Sequence, residues 1–347
     1  MKRIESIHIL RGITIAVIAF RHSLSYFDSQ SLPIDFFAQL VDEISFNWTA
    51  FFVLISGYLF QHLSPRYKTQ KYWLSRFKYV LMPYLVVSLV CFPLLHLQTI
   101  QAMPFFSTDG DNLIFWAVRM LFSGEHSEPL WYIPMICLIF CLSPFLFLLS
   151  QKDLSIIAII CLLLSVMTFK PGTQETLKNV LHYLPVYVVG MFLCQKRKLL
   201  KGYSKNNLRV LIAFFLGTIA MSFHKKLGLD WLNISDDYLM TLEKIILFIL
   251  LLYWLENASL PNWCRRLFSY FADISFSIYF IHMLFIKFLL AVFALLPGWH
   301  IVTNFENGLL STLMNALFTS VVLLLCSGSV ALIKRMASEK SRLLIGS

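Results

Sequence analysis

Ten apolar runs of transmembrane-helix length dominate this 347-residue sequence and restrict what it can fold into. The hydrocarbon layer of a membrane is about 30 Å thick, and roughly 17–25 apolar helical residues cross it. The runs lie at approximately residues 7–26, 44–62, 78–98, 130–150, 154–169, 178–194, 207–224, 238–255, 272–295 and 308–333. We therefore predict an all-α, polytopic membrane protein with about ten transmembrane helices, built as one integral-membrane domain over residues 1–347.

Composition agrees with a membrane chain and argues against other classes. Hydrophobic residues make up 58% and charged residues 14% of the chain, whereas soluble domains carry about 25% charged residues. The net charge of +10 does not indicate a nucleic-acid partner, because the basic residues fall in short loops between apolar runs. The seven cysteines form no Cys-x-x-Cys pair, so the sequence predicts neither a metal site nor a disulfide framework.

The distribution of Lys and Arg predicts the orientation in the membrane. With ten spans, both chain ends share one side, and that side carries twenty of the 29 basic residues. The opposite side carries five: Arg119, Lys170, Lys178, Lys225 and Lys226. Since basic loops stay in the cytoplasm, both termini are predicted to be cytoplasmic. Lys2 and Arg3 resemble the start of a signal peptide without a small-residue cleavage site, so the first run is expected to be a retained span.

The first apolar run contains two arginines and a histidine, in the stretch RGITIAVIAFRH. A charged side chain near the bilayer centre costs at least about 2.5–3.5 kcal/mol on insertion scales. Arg11 and His22 are eleven residues apart, about 20° past three helical turns, and so share one helix face. The rise between them is about 16–17 Å, roughly half of the ~30 Å hydrocarbon core. His22 is therefore predicted to lie deeper than Arg11, towards the outer half of the membrane.

Two interpretations of this face stay open. Arg11 and His22 can mark a path through the bundle, with a cation at the cytoplasmic mouth and a titratable base beyond it. Alternatively, Arg11 extends to the cytoplasmic headgroups while His22 only hydrogen-bonds a neighbouring helix. Arg21 points about 100° away from His22 and is predicted to reach the outer interface.

Five sequence elements, in order, resemble those of the membrane acyltransferase-3 family. LRGITIAVIAFRH (10–22) is similar to its opening helix, whose signature is an arginine, ten residues, then a histidine. FFVLISGYLF (51–60) looks like its FFxxSG helix, and YWLSRFKYVLMPY (72–84) resembles its basic segment before a Pro-Tyr. PLWYIP (129–134) and ISFSIYFIH (274–282) are similar to its LWF/Y element and its SYxxYxxH helix. The chain is thus identified as a member of this family.

The resemblance covers about residues 5–150 and 270–290. It implies a multi-pass enzyme of the bacterial inner membrane that moves an acyl group, usually acetyl, from cytoplasmic acyl-CoA to a sugar hydroxyl at the outer face. The acceptor would be a surface polysaccharide or its lipid-linked precursor. The implied partners are acetyl-CoA, a glycan and the lipid bilayer, with no nucleic acid and no metal, and the oligomeric state is left open.

The resemblance also implies roles for basic residues and for the histidine. Basic side chains at the inner mouth would hold the phosphates of CoA, and Arg11, Arg76 and Lys78 are suited to this. The thin pantetheine arm would carry the thioester to His22, whose neutral imidazole takes the proton of an acceptor hydroxyl. A covalent acyl-histidine is the alternative mechanism. Positive-inside charge alone also explains Arg76 and Lys78.

Ser56 and Gly57 lie within FFVLISGYLF. In the functional interpretation, Gly57 leaves room for the pantetheine arm and Ser56 donates a hydrogen bond near the thioester. In the structural interpretation, the pair is a small-residue contact where two helices approach closely.

Four aromatic or histidine side chains are the predicted contacts of the acceptor. Trp131 and Tyr132 either stack on a sugar ring or belong to an aromatic belt at the outer interface. Tyr279 and His282 share a helix face, and His282 is either a second polar member of the cavity or a packing histidine. Phe276 stands where the family usually has tyrosine, so no hydroxyl role is predicted there.

Further candidates and rival functions remain. Glu125, His126 and Glu128 form either a solvated outer loop or a part of the acceptor site, and Lys244 is an intramembrane lysine without a predicted role. The main rival function is a glycan or lipid carrier or exporter of the same family with a vestigial site. A structural subunit of a polymer-synthesis complex is the third. Neither rival explains an arginine and a histidine on one face of the first helix.

Overall fold

A computed structural model describes residues 4–24, 26, 36–102, 113–167, 175–202, 205–226, 236–257, 259–295, 308–338 and 341–346 of the chain. Every regular element in these residues is a helix. The α-helices are α1 (Glu5–Leu24), α2 (Phe36–Ser45), α3 (Thr49–Leu63), α4 (Thr69–Arg76), α5 (Met82–Ala102), α6 (Leu113–Ser123), α7 (Tyr132–Cys141), α8 (Ser143–Ser150), α9 (Ser155–Met167), α10 (Thr176–Gln195), α11 (Arg197–Lys201), α12 (Lys205–Lys226), α13 (Asp236–Asn257), α14 (Asn262–Asp273), α15 (Ser275–Ala294), α16 (Gly308–Ala337) and α17 (Ser341–Ile345).

The predicted apolar runs coincide with these helices, and the all-α prediction is confirmed for the described residues. Six helical segments are long and apolar enough to cross a membrane: Glu5–Leu24, Phe36–Arg66, Thr69–Phe92, Thr176–Gln195, Ser275–Ala294 and Gly308–Ala337. A seventh span results if α7 and α8, which are bent by 61°, are counted as one. Helix α9 is short, and Glu243 and Lys244 interrupt the apolar surface of α13. A count of about ten spans and the side of the termini therefore stay predictions.

The run predicted at 44–62 is not one continuous helix. Its chain breaks between α2 and α3 at Phe46–Trp48, where Asn47 has a φ of 55°. Asparagine is one of the few residue types other than glycine that tolerates this left-handed conformation. The Trp48 indole N–H donates to the Ile44 carbonyl across the break, which ties the turn to the end of α2.

Helices α3 and α10 share the most extensive helix–helix contact among the described residues, and glycines permit their close approach. A Cβ built on Gly57 would lie 2.0 Å from the Tyr187 carbonyl oxygen, and one on Gly190 would lie 2.3 Å from the Leu54 carbonyl oxygen. Both distances are far below van der Waals contact, so no larger residue fits at either position without moving a backbone. Small residues play this role in membrane helix pairs because they let backbones approach.

Helix α1 is a central element of the bundle and packs against α14, α15, α16, α13 and α3. Gly12 allows the contact with α14, since a Cβ there would lie 1.9 Å from the Phe268 carbonyl oxygen. The Asn315 amide of α16 donates to the Phe20 carbonyl at 3.1 Å. The helix that carries the predicted base is therefore fixed on several sides.

A buried polar cluster explains the intramembrane lysine of α13. The Lys244 ammonium is fully buried and donates to Glu243 Oε1 at 2.6 Å and to the Glu43 carbonyl at 2.8 Å. The Ser222 hydroxyl donates to Glu43 Oε1 at 2.8 Å. Buried charges persist in proteins when they are paired and hydrogen-bonded. This cluster joins α2, α12 and α13 and holds the end of α2 next to the break at Asn47.

Candidate functional site

Arg11 and His22 both contact the segment formed by the end of α14 and the first half of α15, as expected for residues on one helix face. The Arg11 guanidinium donates from Nη2 to the Ala272 carbonyl near the end of α14. One helical turn before Arg11, Nε2 of His8 bonds the Ser269 carbonyl of α14 at 3.1 Å. Eleven residues after Arg11, the His22 ring lies 5.4 Å from the His282 ring of α15. The predicted alignment of Arg11 with His22 is thus visible in their partners.

These contacts also establish the direction of two helices. Arg11 contacts the chain just before α15 begins, and His22 contacts α15 seven residues after its first residue, Ser275. Helices α1 and α15 therefore run the same way through the bundle. His22 lies about 16–17 Å beyond Arg11 along α1, at 1.5 Å per residue. His282, beside His22, lies at the same level of the bundle.

His22 opens into a cavity of about 210 Å³, which we call the outer cavity after the orientation predicted from the sequence. The lining combines charged, polar and aromatic side chains: Ile18, Arg21, His22, Ser45, Phe46, Asn47, Trp48, Thr49, Glu128, Pro129, Trp131 and Tyr279. Pockets for drug-sized ligands span about 300–1,000 Å³, so this smaller space fits a group the size of one sugar ring. Aromatic faces beside hydrogen-bonding side chains suit such a ligand.

Charged groups surround the mouth of the outer cavity. The Glu128 carboxylate lies 3.9 Å from Nδ1 of His22 and is 61% exposed. Arg21 pairs with Asp42 at 2.8 Å, and its guanidinium lies 5.3 Å from the centre of the Phe46 ring. Arg21 therefore anchors α2 to α1 at the cavity, and Glu128 is the carboxylate nearest to His22 among the described residues.

The predicted acceptor contacts divide into two groups. Trp131 and Tyr279 line the outer cavity, while Tyr132 and His282 do not border it. The Tyr279 hydroxyl donates to the Pro129 carbonyl, which holds the short 3₁₀ helix Glu128–Trp131 against α15. The Tyr132 and Tyr279 rings lie 5.8 Å apart, and Tyr279 lies 6.2 Å from His282. Tyr279 at the cavity wall, together with Tyr132 and His282 behind it, forms a layer of rings that we call the ring layer.

Two of the predicted CoA ligands differ in their surroundings. Arg76, at the end of α4, is half-buried and stacks between Tyr72 at 4.8 Å and Phe140 at 4.9 Å. Its Nε atom is buried, so this part of the side chain faces the bundle interior. Lys78 is exposed, on the π-helical turn Phe77–Leu81 that follows. The structure therefore joins Arg76, and not Lys78, to the ring layer that leads to His282.

Ser56 and Gly57 are adjacent in α3 but contact different parts of the bundle. The Ser56 hydroxyl lies near the Tyr132 hydroxyl. Gly57 packs against the Tyr187 backbone, which is the small-residue contact of the structural interpretation. The described geometry therefore gives Gly57 no free space beside it, while Ser56 faces the ring layer.

The loop before the 3₁₀ helix is not a solvated one. His126 is 2% exposed, its Nε2 lies 2.8 Å from the Ser88 hydroxyl, and its Nδ1 lies 3.1 Å from the Met120 carbonyl. Burial lowers the pKa of His126, so the ring is a neutral structural link between α5 and α6. The solvated-loop interpretation is wrong for His126, because the chain folds back over it.

Sequence reasoning missed Asn47 as a member of the site. Asn47 is 7% exposed, lines the outer cavity, and accepts a hydrogen bond from the Tyr183 hydroxyl at 2.9 Å. A polar residue in the run FNWTAFFVLISG is the only sequence signal of this position. The turn that carries it could not be located, because hydropathy does not detect a break inside a continuous apolar run.

These features define an integral-membrane helical bundle in which a histidine opens to an outer cavity and arginines lie further towards the opposite end. The sequence profile described as "Acyltransferase domain", that of the acyltransferase-3 family, matches residues 4–333. The chain belongs to the acyltransferase-3 family. Searches of curated proteins and of solved structures gave no significant match.

Proposed function

We propose that the protein is an O-acyltransferase that moves an acyl group, acetyl above all, from cytoplasmic acyl-CoA to a sugar hydroxyl at the outer face of a bacterial inner membrane. The acceptor is a surface polysaccharide or its lipid-linked precursor. Membership of the acyltransferase-3 family supports the reaction class. The observation that carries the proposal is the position of His22, which opens to the outer cavity while its aligned partner Arg11 lies about 16–17 Å nearer the other end.

The donor fits the inner part of this arrangement. Arg11 and Arg76 are the arginines that reach towards the bundle interior, and guanidinium groups bind phosphate through charge-assisted hydrogen bonds. The polyanionic head of CoA stays at the basic mouth, since it cannot enter hydrocarbon. Its flexible arm extends along the ring layer of Tyr132, Tyr279 and His282, so that the thioester reaches His22.

The chemistry requires one base close to the acceptor. The hydroxyl oxygen attacks the thioester carbon, its proton passes to the neutral His22 ring, and the C–S bond breaks. His22 then returns the proton to the CoA thiolate, so no net proton is gained or lost. Proton transfer by a positioned side chain contributes about 10²–10⁴-fold to rates.

The acceptor fits the outer cavity. Trp131 and Trp48 present aromatic surface, and Asn47 and Glu128 present hydrogen-bonding groups, around a space that suits one sugar ring. Membrane-embedded tyrosines fill the region behind it, with Tyr132, Tyr187 and Tyr279 all buried. This filled interior favours entry of a thin acyl chain over passage of a glycan.

Labelled acetyl-CoA tests the proposal directly. Purified protein in nanodiscs receives [¹⁴C]acetyl-CoA alone, and then with short oligosaccharide acceptors of surface-polysaccharide type. Acceptor-dependent appearance of labelled ester, with free CoA formed in equal amount, supports the enzyme. An exporter would leave the label on CoA and, after reconstitution in sealed vesicles, would move glycan across the vesicle membrane; that result would overturn the proposed function.

A further inference from the structure

His282 is a buried histidine that the acyl-transfer steps above do not use. Its side chain is 0% exposed, and its Nδ1 lies 2.9 Å from both the Ile278 and the Tyr279 carbonyl oxygens. Its other ring nitrogen, Nε2, has no hydrogen-bond partner among the described residues. Buried polar atoms nearly always have a partner, so this nitrogen calls for a function.

The surroundings of Nδ1 determine the tautomer of His282. Carbonyl oxygens only accept hydrogen bonds, so Nδ1 must carry the hydrogen that both of them share. A second hydrogen on Nε2 would create a buried cation with an unpaired N–H, which is strongly unfavourable. His282 is therefore neutral, and its Nε2 carries a lone pair that can only accept.

The His22 ring is a neighbour of the His282 ring and, unlike it, borders the outer cavity. The two ring centres are 5.4 Å apart, with the ring planes at 47°. His22 lines the cavity and His282 does not. Nδ1 of His22 is the nitrogen near Glu128, which also lines the cavity. Ring centres at this separation allow a hydrogen bond when the two nitrogens point towards each other, so an N–H of His22 is able to reach His282 Nε2.

We propose that His282 is a positioning residue that accepts a hydrogen bond from Nε2–H of His22 and so keeps the lone pair of His22 on Nδ1, facing the outer cavity. This inference rests on the proposed function, since it names the His22 atom that takes the acceptor's proton. The O–H bond of the acceptor breaks, the proton moves to Nδ1, and from there it passes to the leaving thiolate sulfur.

Among the described residues, Glu128 and Arg21 are charged groups beside His22 that act on the same choice of tautomer. The Glu128 carboxylate favours a hydrogen on Nδ1, but it lies at 3.9 Å and is 61% exposed, so solvent weakens its effect. Arg21 is paired with Asp42. The buried lone pair of His282 acts in a drier environment, where a hydrogen bond is electrostatically stronger, and it outweighs Glu128.

Nitrogen NMR tests the inference without relying on activity. Protein labelled with ¹⁵N-histidine is examined in nanodiscs at neutral pH, with His22→Gln and His282→Gln used to assign the two rings. We expect His282 to carry its hydrogen on Nδ1 and His22 to carry its hydrogen on Nε2. A hydrogen on Nδ1 of His22 in the wild-type protein would overturn the inference, whatever the outcome of the acetyl-transfer assay.

A pair of amide substitutions provides the kinetic test. In His282→Asn the amide replaces Nδ1 and leaves nothing at Nε2, whereas in His282→Gln the amide oxygen replaces Nε2 as an acceptor. We expect His282→Asn to lower kcat at least tenfold, with a smaller effect on acetyl-CoA affinity than on kcat. We expect His282→Gln to keep most of the wild-type kcat. Equal losses in both variants would make His282 a packing residue and refute the inference, as would wild-type kcat in both.

Failure of the inference and failure of the proposed function give different results. If the wild-type protein transfers no acetyl group, the proposed function fails, while the NMR result still decides the tautomers. If it transfers acetyl normally and the two amide variants do not differ, only the role of His282 fails.

Discussion

His22 differs from the other histidine of its helix in what its ring can reach. His8, at the opposite end of α1, is 9% exposed and its Nε2 is bonded to the Ser269 carbonyl. The His22 side chain is 21% exposed and borders the outer cavity. At the scale of single residues, access to a cavity therefore separates the candidate base from a structural histidine of the same type.

Replacement of His22 by alanine is expected to abolish acyl transfer without preventing membrane insertion. The reason is that no other described histidine lines the outer cavity, and a carboxylate such as that of Glu128 is ordinarily a weaker base than an imidazole. Transfer of labelled acetyl from acetyl-CoA is measured after extraction and size-exclusion analysis of the variant. The matched control is His62→Ala, a half-buried histidine at the far end of α3, which should stay active. Retained transfer in well-folded His22→Ala protein would exclude His22 as the base.

Replacement of Arg11 or Arg76 by alanine is expected to weaken acyl-CoA binding. A lost charge-assisted phosphate contact costs about 1.5–3 kcal/mol, which corresponds to roughly a ten- to hundredfold higher dissociation constant. Calorimetric titration with a non-hydrolysable acyl-CoA measures it. The exposed arginine Arg66, changed to alanine, is the control and should bind like the wild type. Wild-type affinity in both the Arg11 and the Arg76 variant would rule out the phosphate assignment.

At the scale of helices, close contacts position the face that carries the site. Gly12 brings α1 against α14, which places Arg11 beside the Ala272 carbonyl and, further along, His22 beside His282. Gly57 and Gly190 do the same for α3 and α10, and α10 in turn supplies the Tyr183 hydroxyl that holds Asn47. The glycines thus act on the site through helix spacing.

Gly57→Ala and Gly190→Ala are expected to destabilise the protein. Their new Cβ atoms would meet backbone at 2.0 Å and 2.3 Å, and forced overpacking of a core typically costs about 1–3 kcal/mol or more. Thermal unfolding in detergent, followed by tryptophan fluorescence, measures the loss. Gly217→Ala in α12 is the control, since its Cβ would meet nothing within 4 Å among the described residues, and alanine favours a helix by up to about 1 kcal/mol. If all three variants melt alike, the α3–α10 contact is not close.

At the scale of the whole molecule, the two ends of the bundle are predicted to differ in charge. Twenty basic residues were assigned to the side of the chain ends and five to the other, while the cavity at the far end carries Glu128 and aromatic rings. Under the proposed function, a polyanionic donor would bind at the basic side and a neutral sugar at the cavity side.

Donor and acceptor are accordingly expected to act from opposite faces. In sealed vesicles of known orientation, acetyl-CoA should support transfer only from the Lys/Arg-rich side, and a membrane-impermeant glycan acceptor only from the other side. Vesicles of the reverse orientation are the control and should reverse both requirements. If both substrates must be supplied on the basic side, transfer across the bilayer is wrong, although acyl transfer itself would stand.

Local periodicity was sufficient to predict part of this site. The spacing of Arg11 and His22 placed them on one helix face, and both do contact the α14–α15 segment. Proximity along a helix is a property of the sequence, because the rise and rotation per residue are nearly constant. The tautomer of His282 also follows from a local feature, since its Nδ1 bonds carbonyls three and four residues earlier on the same helix.

The sequence by itself determined that this chain is a helical membrane protein of the acyltransferase-3 family with an arginine and a histidine aligned in its first helix. Only the tertiary structure decided that His22 faces a cavity, that His282 stands behind it, and that Asn47 joins the lining. The physical reason is that hydropathy and helical periodicity describe one segment at a time. Which segments meet depends instead on close packing at positions such as Gly12 and on a left-handed turn at Asn47.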